Sequence, residues 1–420
     1  MKIGIIGAIG VDDIGDVIMF ESALMFIDKI SREKNIKIKP VIFSMDNLKT
    51  ENQINKFDIE VQIENVLSED RLMESYENFN FDNFINNDIV EFEYKNKEYT
   101  EKIIDCQGLF FIGGGYFNKY WGDKLISNFA IPLALAYKHN IPVFISGVSI
   151  GPFDEKDILS FKGLFKGVDT IILRDRYDSP KFIEKLGGTD GEIVLGADDI
   201  LPRWYNKKQC SMKKELEKSR FAVIQLHHYV ETYSENYINF YKKIATFFNY
   251  LIDNNYLDKV YFLPFDYYKG VDYECGRRLS TFLDNREEYV VLEPTDNHIY
   301  MRTLICKSKF VIASRYHPVV FALGEDIPVL GICTNGLYMQ KLSGAFDVVG
   351  LNSSDNIFKI SDLSADKMVL WYTNMVLNKH SRLNNNIVTE YKNIRETKME
   401  DFFNNIVISR ETMEHKECNK

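Results

Sequence analysis

Short, apolar, β-branched runs alternate along most of the chain with segments long enough to form helices. In the first half these runs stay hydrophobic at successive positions, as strands of a parallel sheet do when both faces are buried. The predicted strands of this half cover residues 2–8, 38–44, 108–115, 141–149, 170–176 and 192–198. Intervening segments such as 16–30 and 123–139 are predicted to be helices. This alternation is typical of a doubly wound parallel sheet.

A second series of the same kind follows a charged connector near residues 201–219. Its predicted strands cover residues 220–228, 259–265, 289–293, 309–317, 328–333 and 347–351. The fold class predicted is therefore α/β, with two Rossmann-like parallel-sheet domains in series. We place the first domain at 1–205, the second at 219–365, and a helical C-terminal segment with a tail at 366–420.

Residues 50–105 differ from the rest of the first half, since they are rich in Asn, Glu and Lys and contain few long apolar runs. We interpret them as a peripheral excursion on the first sheet. Within them, residues 91–99 are a candidate β-hairpin that turns at Lys95 and Asn96.

Composition narrows the function classes. The chain has 420 residues, 45% of them hydrophobic, so full-sized cores are expected. A net charge of −10 argues against nucleic-acid binding. The apolar stretch at 129–137 is far below the roughly 20 residues of a membrane span. The six cysteines form no CxxC pair and the N-terminus has no export signal, so we expect a cytoplasmic protein with buried thiols and no metal site.

Two loops of the first domain follow buried strands, where open α/β sheets bind ligands. Gly113, Gly114 and Gly115 favour a close ligand approach over a simple tight turn. Tyr116 could stack on a sugar face or belong to the core. Arg174 ends another predicted strand and is either an anion clamp or one half of a surface ion pair with a neighbouring aspartate.

The first loop of the chain carries acidic residues between a strand and a helix. Asp13 and Asp16 flank Gly15 there, and the loop matches neither a GxGxxG nor a Walker pattern. Two interpretations stay open, since these carboxylates either cap the helix or also orient hydroxyls of an acceptor.

The most specific candidate motif for a functional site lies in the second domain. Arg315 and His317 are two residues apart at the end of a predicted strand, and Pro318 is placed to begin a short helix. Arg315 offers a permanent positive charge for a phosphate or carboxylate. His317 would lie at or near the helix N-terminus, where general acid–base chemistry on an anionic ligand is feasible.

These segments, taken in order, resemble the polysaccharide pyruvyl transferase family over about residues 1–350. The resemblance rests on the following motifs: Gly15-Asp16, Gly113-Gly114-Gly115, the loop Gly147 to Pro152, Arg174-Asp175 with Ser179, and Arg315-Tyr316-His317. The chain departs from the family pattern at four places: Asp13 stands where the family has Asn, Ser149 where it has Gly, Tyr116 where a fourth Gly can stand, and Pro318 where a small residue is usual.

The resemblance implies a GT-B-like arrangement and a transferase that moves the enolpyruvyl unit of phosphoenolpyruvate onto two sugar hydroxyls, forming a pyruvate ketal on a cell-surface glycan precursor. His317 and Arg315 would be catalytic, Arg174 and the three glycines would bind the donor, and Asp13, Asp16 and Tyr116 the acceptor. No cofactor is implied. The acceptor would be a sugar or lipid-linked glycan, and any membrane contact would be peripheral, through that acceptor.

Two rival functions remain. One is a GT-B-type glycosyltransferase that uses a nucleotide sugar, which would share the fold. The other is a non-catalytic, glycan-binding homologue.

Overall fold

The chain begins in a central strand of its first sheet. A computed structural model describes residues 1–201, 219–266, 270–284, 286–295, 297–378 and 385–418. Within them, the strands of the first sheet are β1 (Lys2–Ile6), β2 (Lys39–Ser44), β3 (Gln62–Asn65), β4 (Gly108–Phe111), β5 (Gly114–Phe117), β6 (Val143–Ile150), β7 (Thr170–Leu173) and β8 (Glu192–Leu195).

All strand pairs of this sheet are parallel, in the order β3-β2-β1-β4-β6-β7-β8, with β5 also paired to β6. The central strands are buried along almost their whole length, which explains their unbroken apolar runs. The helices up to the end of this sheet are α1 (Ile14–Lys34), α2 (Asn47–Ile54), α3 (Phe81–Asn83), α4 (Ile89–Lys95), α5 (Lys97–Ile104), α6 (Asp123–Leu125), α7 (Ile131–His139), α8 (Glu155–Ser160) and α9 (Asp178–Lys185).

The second sheet contains β9 (Phe221–Gln225), β10 (Lys259–Phe262), β11 (Tyr289–Val291), β12 (Val311–Ala313), β13 (Val329–Cys333) and β14 (Ile357–Lys359). They are all parallel, in the order β11-β10-β9-β12-β13-β14. Two parallel sheets with helical crossovers confirm the predicted fold class of two Rossmann-like domains.

The remaining described helices follow β9. They are α10 (Tyr229–Thr232), α11 (Tyr237–Asp253), α12 (Val271–Ser280), α13 (His298–Lys307), α14 (Tyr316–Gly324), α15 (Gly336–Val348), α16 (Ser353–Asn356), α17 (Ala365–Tyr372) and α18 (Asn385–Cys418). Short 3₁₀ or π-helical turns cover Glu69–Arg71, Phe84–Asp88, Lys119–Trp121, Ile126–Ala130, Arg286–Glu288, Ile360–Asp362 and Thr373–Leu377. In the described part of the chain, no helix has an apolar stretch sufficient to cross a membrane.

Internal contacts divide the chain into two compact units. The first comprises Met1–Val11, Met19–Asp199 and Glu390–Lys420, and the second comprises Asp12–Ile18 and Ile200–Thr389. Residues 12–18 therefore belong to the second unit although they follow the first strand of the first sheet. The predicted connector at 201–219 lies outside the described residues except for its two ends, Leu201 and Ser219.

The C-terminal helix contributes to the core of the first unit. Its buried residues Met399, Phe402, Phe403 and Ile406 lie on one helical face and pack in the same apolar cluster as Ile3 of β1. A Cβ at Gly108 would lie 2.6 Å from Cδ1 of Ile406 and 3.0 Å from Cζ of Phe402, so the glycine at the start of β4 leaves room for the helix.

Three sequence predictions of local structure were wrong. Residues 91–99 form parts of α4 and α5, not a hairpin, because the buried positions Ile89, Phe92, Asn96, Tyr99 and Ile103 recur every three or four residues. The predicted strand at 108–115 is two strands, β4 and β5, separated by two residues.

The predicted strand at 347–351 is the end of a helix. Val348 and Val349 are buried, which gave the segment its strand-like composition. However, α15 runs to Val348, and Gly350 has a φ of +77°, the left-handed conformation that terminates helices. The Leu351 N–H donates to the Phe346 carbonyl at 3.0 Å, which completes this helix end. The strand of this region is β14, which begins six residues after the predicted strand ends.

Candidate active site

The candidate site lies in the second unit, at the carboxyl end of β12. Ser314 and Arg315 follow this strand, and α14 begins at Tyr316, so His317 is the second helical residue and Pro318 the third. Proline is tolerated there because the first N–H groups of a helix have no partner within the helix. The predicted strand–Arg-x-His–helix sequence is therefore the observed local structure.

Arg315 is held by a buried carboxylate from α12. Its Nε and Nη2 donate to the two oxygens of Asp272 at 2.7 and 3.0 Å. Asp272 is fully buried and also accepts the side-chain amide of Gln225 at 2.9 Å and the Phe265 N–H at 3.1 Å. Burial alone would lower the pKa of Arg315, but the negative charges of Asp272 and Asp13 raise it well above its ordinary value.

The acidic loop before α1 meets both motif residues. One oxygen of Asp13 accepts Nη1 of Arg315 at 3.0 Å, and the other lies 3.1 Å from Nδ1 of His317. Burial would raise the pKa of Asp13, but the hydrogen bond and charge of His317, with the charge of Arg315, hold this pKa well below its usual value. Asp13 is thus a carboxylate anion in contact with two basic side chains.

Asp13 also has the capping role left open by the sequence. Its Oδ1 accepts the Gly15 N–H at 2.8 Å, and its carbonyl accepts the Val17 N–H at 3.1 Å in the first turn of α1. The capping interpretation is therefore confirmed, whereas the orientation of acceptor hydroxyls by this loop remains a prediction.

Gly15 packs directly against the imidazole of His317. A Cβ built on Gly15 would lie 1.7 Å from Nδ1 of His317 and about as close to two ring carbons. Every residue other than glycine carries that atom, so the present position of His317 requires glycine here. Two motif elements that the sequence separates by about 300 residues are in van der Waals contact.

Asp16 completes a small group of potential metal ligands. One oxygen each from Asp13 and Asp16, together with a ring nitrogen of His317, lie within 4.8 Å of one another. The guanidinium of Arg315 already contacts Asp13, which opposes the binding of a second cation there. The absence of a metal remains a prediction.

Sequence reasoning missed an aromatic group beside Arg315. His227, His228 and Tyr229 follow β9, and the His227 ring lies 4.0 Å from the Tyr229 ring, 4.1 Å from the His228 ring and 6.3 Å from the Tyr338 ring. Burial and the nearby charge of Arg315 lower the pKa of His227 to about 2, so the ring is neutral. We call these four residues the aromatic wall. The sequence signal was the His-His-Tyr run at a strand end.

The glycine loop of the first unit surrounds a buried aspartate. The Gly113 N–H donates to Oδ2 of Asp199 at 3.1 Å, and Ser146 donates to Oδ1 at 2.7 Å. Nε of Arg395, from the C-terminal helix, lies 2.9 Å from Asp199. A side chain at Gly113 or at Gly147 would collide with this carboxylate. Burial raises the pKa of Asp199, and the charge of Arg395 opposes that rise.

The other two glycines have less specific surroundings. A Cβ at Gly114 would fall on the ring of Tyr116, whereas Gly115 is partly exposed. The glycine run predicted that a ligand approaches the backbone closely. In the structure, the groups that approach Gly113 and Gly114 are the side chains of Asp199 and Tyr116.

The donor-binding and acceptor-binding roles expected for Arg174 and Tyr116 do not fit their positions. Arg174 is 3% exposed and donates to Asp198 at 2.6 Å and to Ser149 at 2.8 Å, so its charge is used inside the first unit. Tyr116 is 1% exposed, stacks on Phe129 at 4.2 Å and donates its hydroxyl to the Ile112 carbonyl. It presents no face to an acceptor and belongs to the core, because its ring fills the space beside Gly114.

Comparison with solved structures shows the fold. The chain is 13% identical to the UDP-GlcNAc 2-epimerase of Methanocaldococcus jannaschii, with a TM-score of 0.59, covering 92% of this chain and 95% of that one. It is 10% identical to Staphylococcus aureus MnaA in a co-structure with UDP, with a TM-score of 0.51, covering 89% and 88%. At such identities the likeness concerns the fold alone, which is GT-B-like as predicted.

Comparison by sequence shows the family. No curated protein matches the chain. The family model described as polysaccharide pyruvyl transferase matches residues 14–334, about three quarters of the sequence, including Gly15, Asp16, Arg315 and His317. The chain therefore belongs to the polysaccharide pyruvyl transferase family.

Proposed function

We propose that this protein transfers the enolpyruvyl unit of phosphoenolpyruvate to two hydroxyls of a sugar, forming a pyruvate ketal on a glycan precursor. Membership of the family supports transferase chemistry. The observation that carries the proposal is the carboxylate of Asp13 on Nδ1 of His317, beside the guanidinium of Arg315. This arrangement supplies an acid–base group and a cation at one strand end.

The Asp13–His317 pair suits proton transfer. A carboxylate that accepts the Nδ1–H of a histidine fixes the tautomer and stabilises the imidazolium form. The other ring nitrogen, Nε2, then exchanges the proton with the reactants. Because the Gly15 backbone packs on the ring and Asp13 holds Nδ1, His317 has little freedom to rotate.

The proposed reaction balances without a cofactor. His317 gives a proton to the methylene carbon of phosphoenolpyruvate, which breaks the carbon–carbon double bond and leaves C2 electrophilic. One sugar hydroxyl attacks C2 and returns its proton to His317. The C2–O–phosphate bond then breaks, the second hydroxyl attacks C2, and its proton leaves with the phosphate. The products are a methyl ketal and hydrogen phosphate.

The role of Arg315 differs from the sequence expectation. Three of its five N–H donors hydrogen bond to Asp272 and Asp13, and these include the two-donor edge expected to grip an anion. Two N–H donors remain for the donor carboxylate or phosphate. We propose that Asp272 positions the guanidinium and that the remaining two donors contact phosphoenolpyruvate.

The test compares phosphoenolpyruvate with nucleotide sugars. Phosphoenolpyruvate should raise the melting temperature, and Arg315→Lys should abolish most of the shift because lysine lacks the planar fork. Arg220→Lys is the matched control, since Arg220 pairs with Asp258 in the same unit at a more exposed site. Stabilisation by nucleotide sugars but not by phosphoenolpyruvate would favour the glycosyltransferase. Phosphate release that needs both donor and acceptor would exclude a non-catalytic homologue.

A further inference from the structure

The aromatic wall has the geometry of a ligand platform. Its rings belong to two separate segments, the run after β9 and the first turn of α15, and converge at the carboxyl edge of the second sheet. The Tyr229 and Tyr338 rings lie 6.0 Å apart at an angle of 82°. Both side chains are only partly buried, so they retain accessible surface.

The aromatic wall is joined to the candidate active site. The His227 N–H donates to Oγ of Ser314, the residue before Arg315, at 2.7 Å. The charges of Arg315 and Asp13 are close enough to act on His227 and also on Tyr338. A ligand lying on these rings would therefore be next to the side chains proposed to carry out the reaction.

The polar atoms of the aromatic wall suit hydroxyl groups. Nδ1 of His227 accepts the Tyr229 N–H at 3.0 Å, so the neutral ring carries its proton on Nε2 and can donate there. Nδ1 of His228 is buried, and no group among the described residues hydrogen bonds to it. Burial first, and then the charge of Arg315, lower the pKa of His228, which favours a neutral ring.

The local charge decides which ligand class fits. Asp13, Asp266 and Asp272 all lie within 4 Å of Arg315, at 3.0, 3.9 and 2.7 Å, so three carboxylates surround one guanidinium. Lys341 adds one positive charge 6.0 Å from the Tyr338 ring. Carboxylate oxygens accept hydrogen bonds from hydroxyl groups, so these surroundings favour an uncharged ligand with many hydroxyls.

We infer that the aromatic wall, formed by His227, His228, Tyr229 and Tyr338, is the subsite for the acceptor sugar and takes a neutral hexopyranose ring. The apolar C–H face of the sugar packs on the tyrosines, and its hydroxyls bond to the histidines and carboxylates. The ring then lies beside His317. This inference rests on the proposed function in so far as the bound sugar is the acceptor.

Sugar binding is tested on the full chain without phosphoenolpyruvate. The probes are methyl hexopyranosides of gluco, galacto and manno configuration, and the readouts are saturation-transfer NMR and calorimetric titration. Saturation of tyrosine ring protons should reach the C–H protons of at least one sugar. Tyr229→Ala and Tyr338→Ala should each weaken its binding about tenfold, the loss expected for a well-packed aromatic contact.

Two variants control for folding. Tyr338→Phe keeps the ring and should bind the sugar within about twofold of wild type, since the aromatic face that packs on the sugar is retained. Tyr94→Ala removes a tyrosine that is 86% exposed in the first unit and should have no effect. Melting temperatures identify any alanine variant that unfolds. In that case the inference is judged by saturation transfer from tyrosine ring protons to the sugar in wild type and in Tyr338→Phe.

Several outcomes would overturn the inference. These are no transfer from wild-type tyrosines to any sugar, sugar affinity unchanged in both alanine variants, or uridine monophosphate bound at these rings in place of sugars. The proposed function fails separately, through the absence of phosphate release from phosphoenolpyruvate. Sugar binding at the aromatic wall can therefore stand without that function, and the function can stand without this subsite.

Discussion

The contact between Gly15 and His317 gives the most direct test of the candidate site, because one methyl group should misplace the histidine. A Cβ at Gly15 would lie 1.7 Å from Nδ1 of His317, whereas nonbonded carbon and nitrogen atoms keep about 3.5 Å. In Gly15→Ala the ring or the helix must therefore move by roughly 2 Å. Displacements of about 1 Å can cost 10²-fold in rate, so kcat for phosphate release should fall at least 10²-fold.

The same substitution should leave the protein folded. Gly15 is the second residue of α1, where alanine gains up to about 1 kcal/mol of helix propensity, and overpacking costs about 1–3 kcal/mol. The free energy of unfolding should thus change by roughly 2 kcal/mol or less, out of a typical 5–15 kcal/mol. Gly336→Ala is the matched control, because its Cβ meets nothing within 4 Å at the start of α15. That variant should retain normal activity.

A double mutant identifies the partner in the clash. When His317→Ala removes the ring, the added methyl group at Gly15 should become neutral or stabilising, as measured by chemical denaturation of all four proteins. If Gly15→Ala destabilises the protein equally in both backgrounds, or if it retains near-normal phosphate release, the proposed packing of Gly15 on a catalytic His317 is wrong.

Two further predictions concern the Asp13–His317 pair. His317→Gln should bind phosphoenolpyruvate within about tenfold but release phosphate about 10²–10⁴ times more slowly in single turnovers, since glutamine cannot deliver a proton; near-normal release would limit His317 to positioning. Asp13→Asn should lower the free energy of unfolding at pH 7 by about 1–3 kcal/mol, the usual worth of charged hydrogen bonds. Because the pKa of Asp13 is depressed in the folded state, its stabilisation is complete above the unfolded pKa of about 3.9 and declines as the pH falls further. Denaturant titrations between pH 7 and pH 3 should therefore show the difference between wild type and Asp13→Asn narrowing only below about pH 4, and a difference that narrows between pH 7 and pH 5 would contradict this assignment.

Much of the fold was readable from the chain because buried parallel strands leave a strong local pattern. The runs around β1, β6 and β9 are apolar at successive positions since both faces are covered. Predictions of secondary structure failed where the local amino-acid composition of a segment did not match the way that segment is buried in the fold. Residues 91–99 alternate like a strand but are buried with helical spacing, and the edge strand β3 is polar and half-exposed, so it gave no signal.

The order of amino acids specifies which motif residues this chain carries and at which ends of strands and helices they lie. It placed Arg315 and His317 between β12 and a short helix, and glycines where backbone and side chains approach closely. These features depend on neighbouring residues and on local backbone geometry, which the order of amino acids specifies directly. They also carried the resemblance to the family that the comparison of residues 14–334 shows.

Tertiary structure alone decided which side chains meet. Asp13 is 304 positions from His317, and Asp272 is 43 positions from Arg315, yet both pairs are in contact. The fold also buries Tyr116 in the core, pairs Arg174 with Asp198 and brings His227 beside Arg315. One physical reason is that strand order sets which loops share a sheet edge. β9 and β12 are neighbours in that order although 85 residues lie between the end of β9 and the start of β12. No local pattern encodes that adjacency.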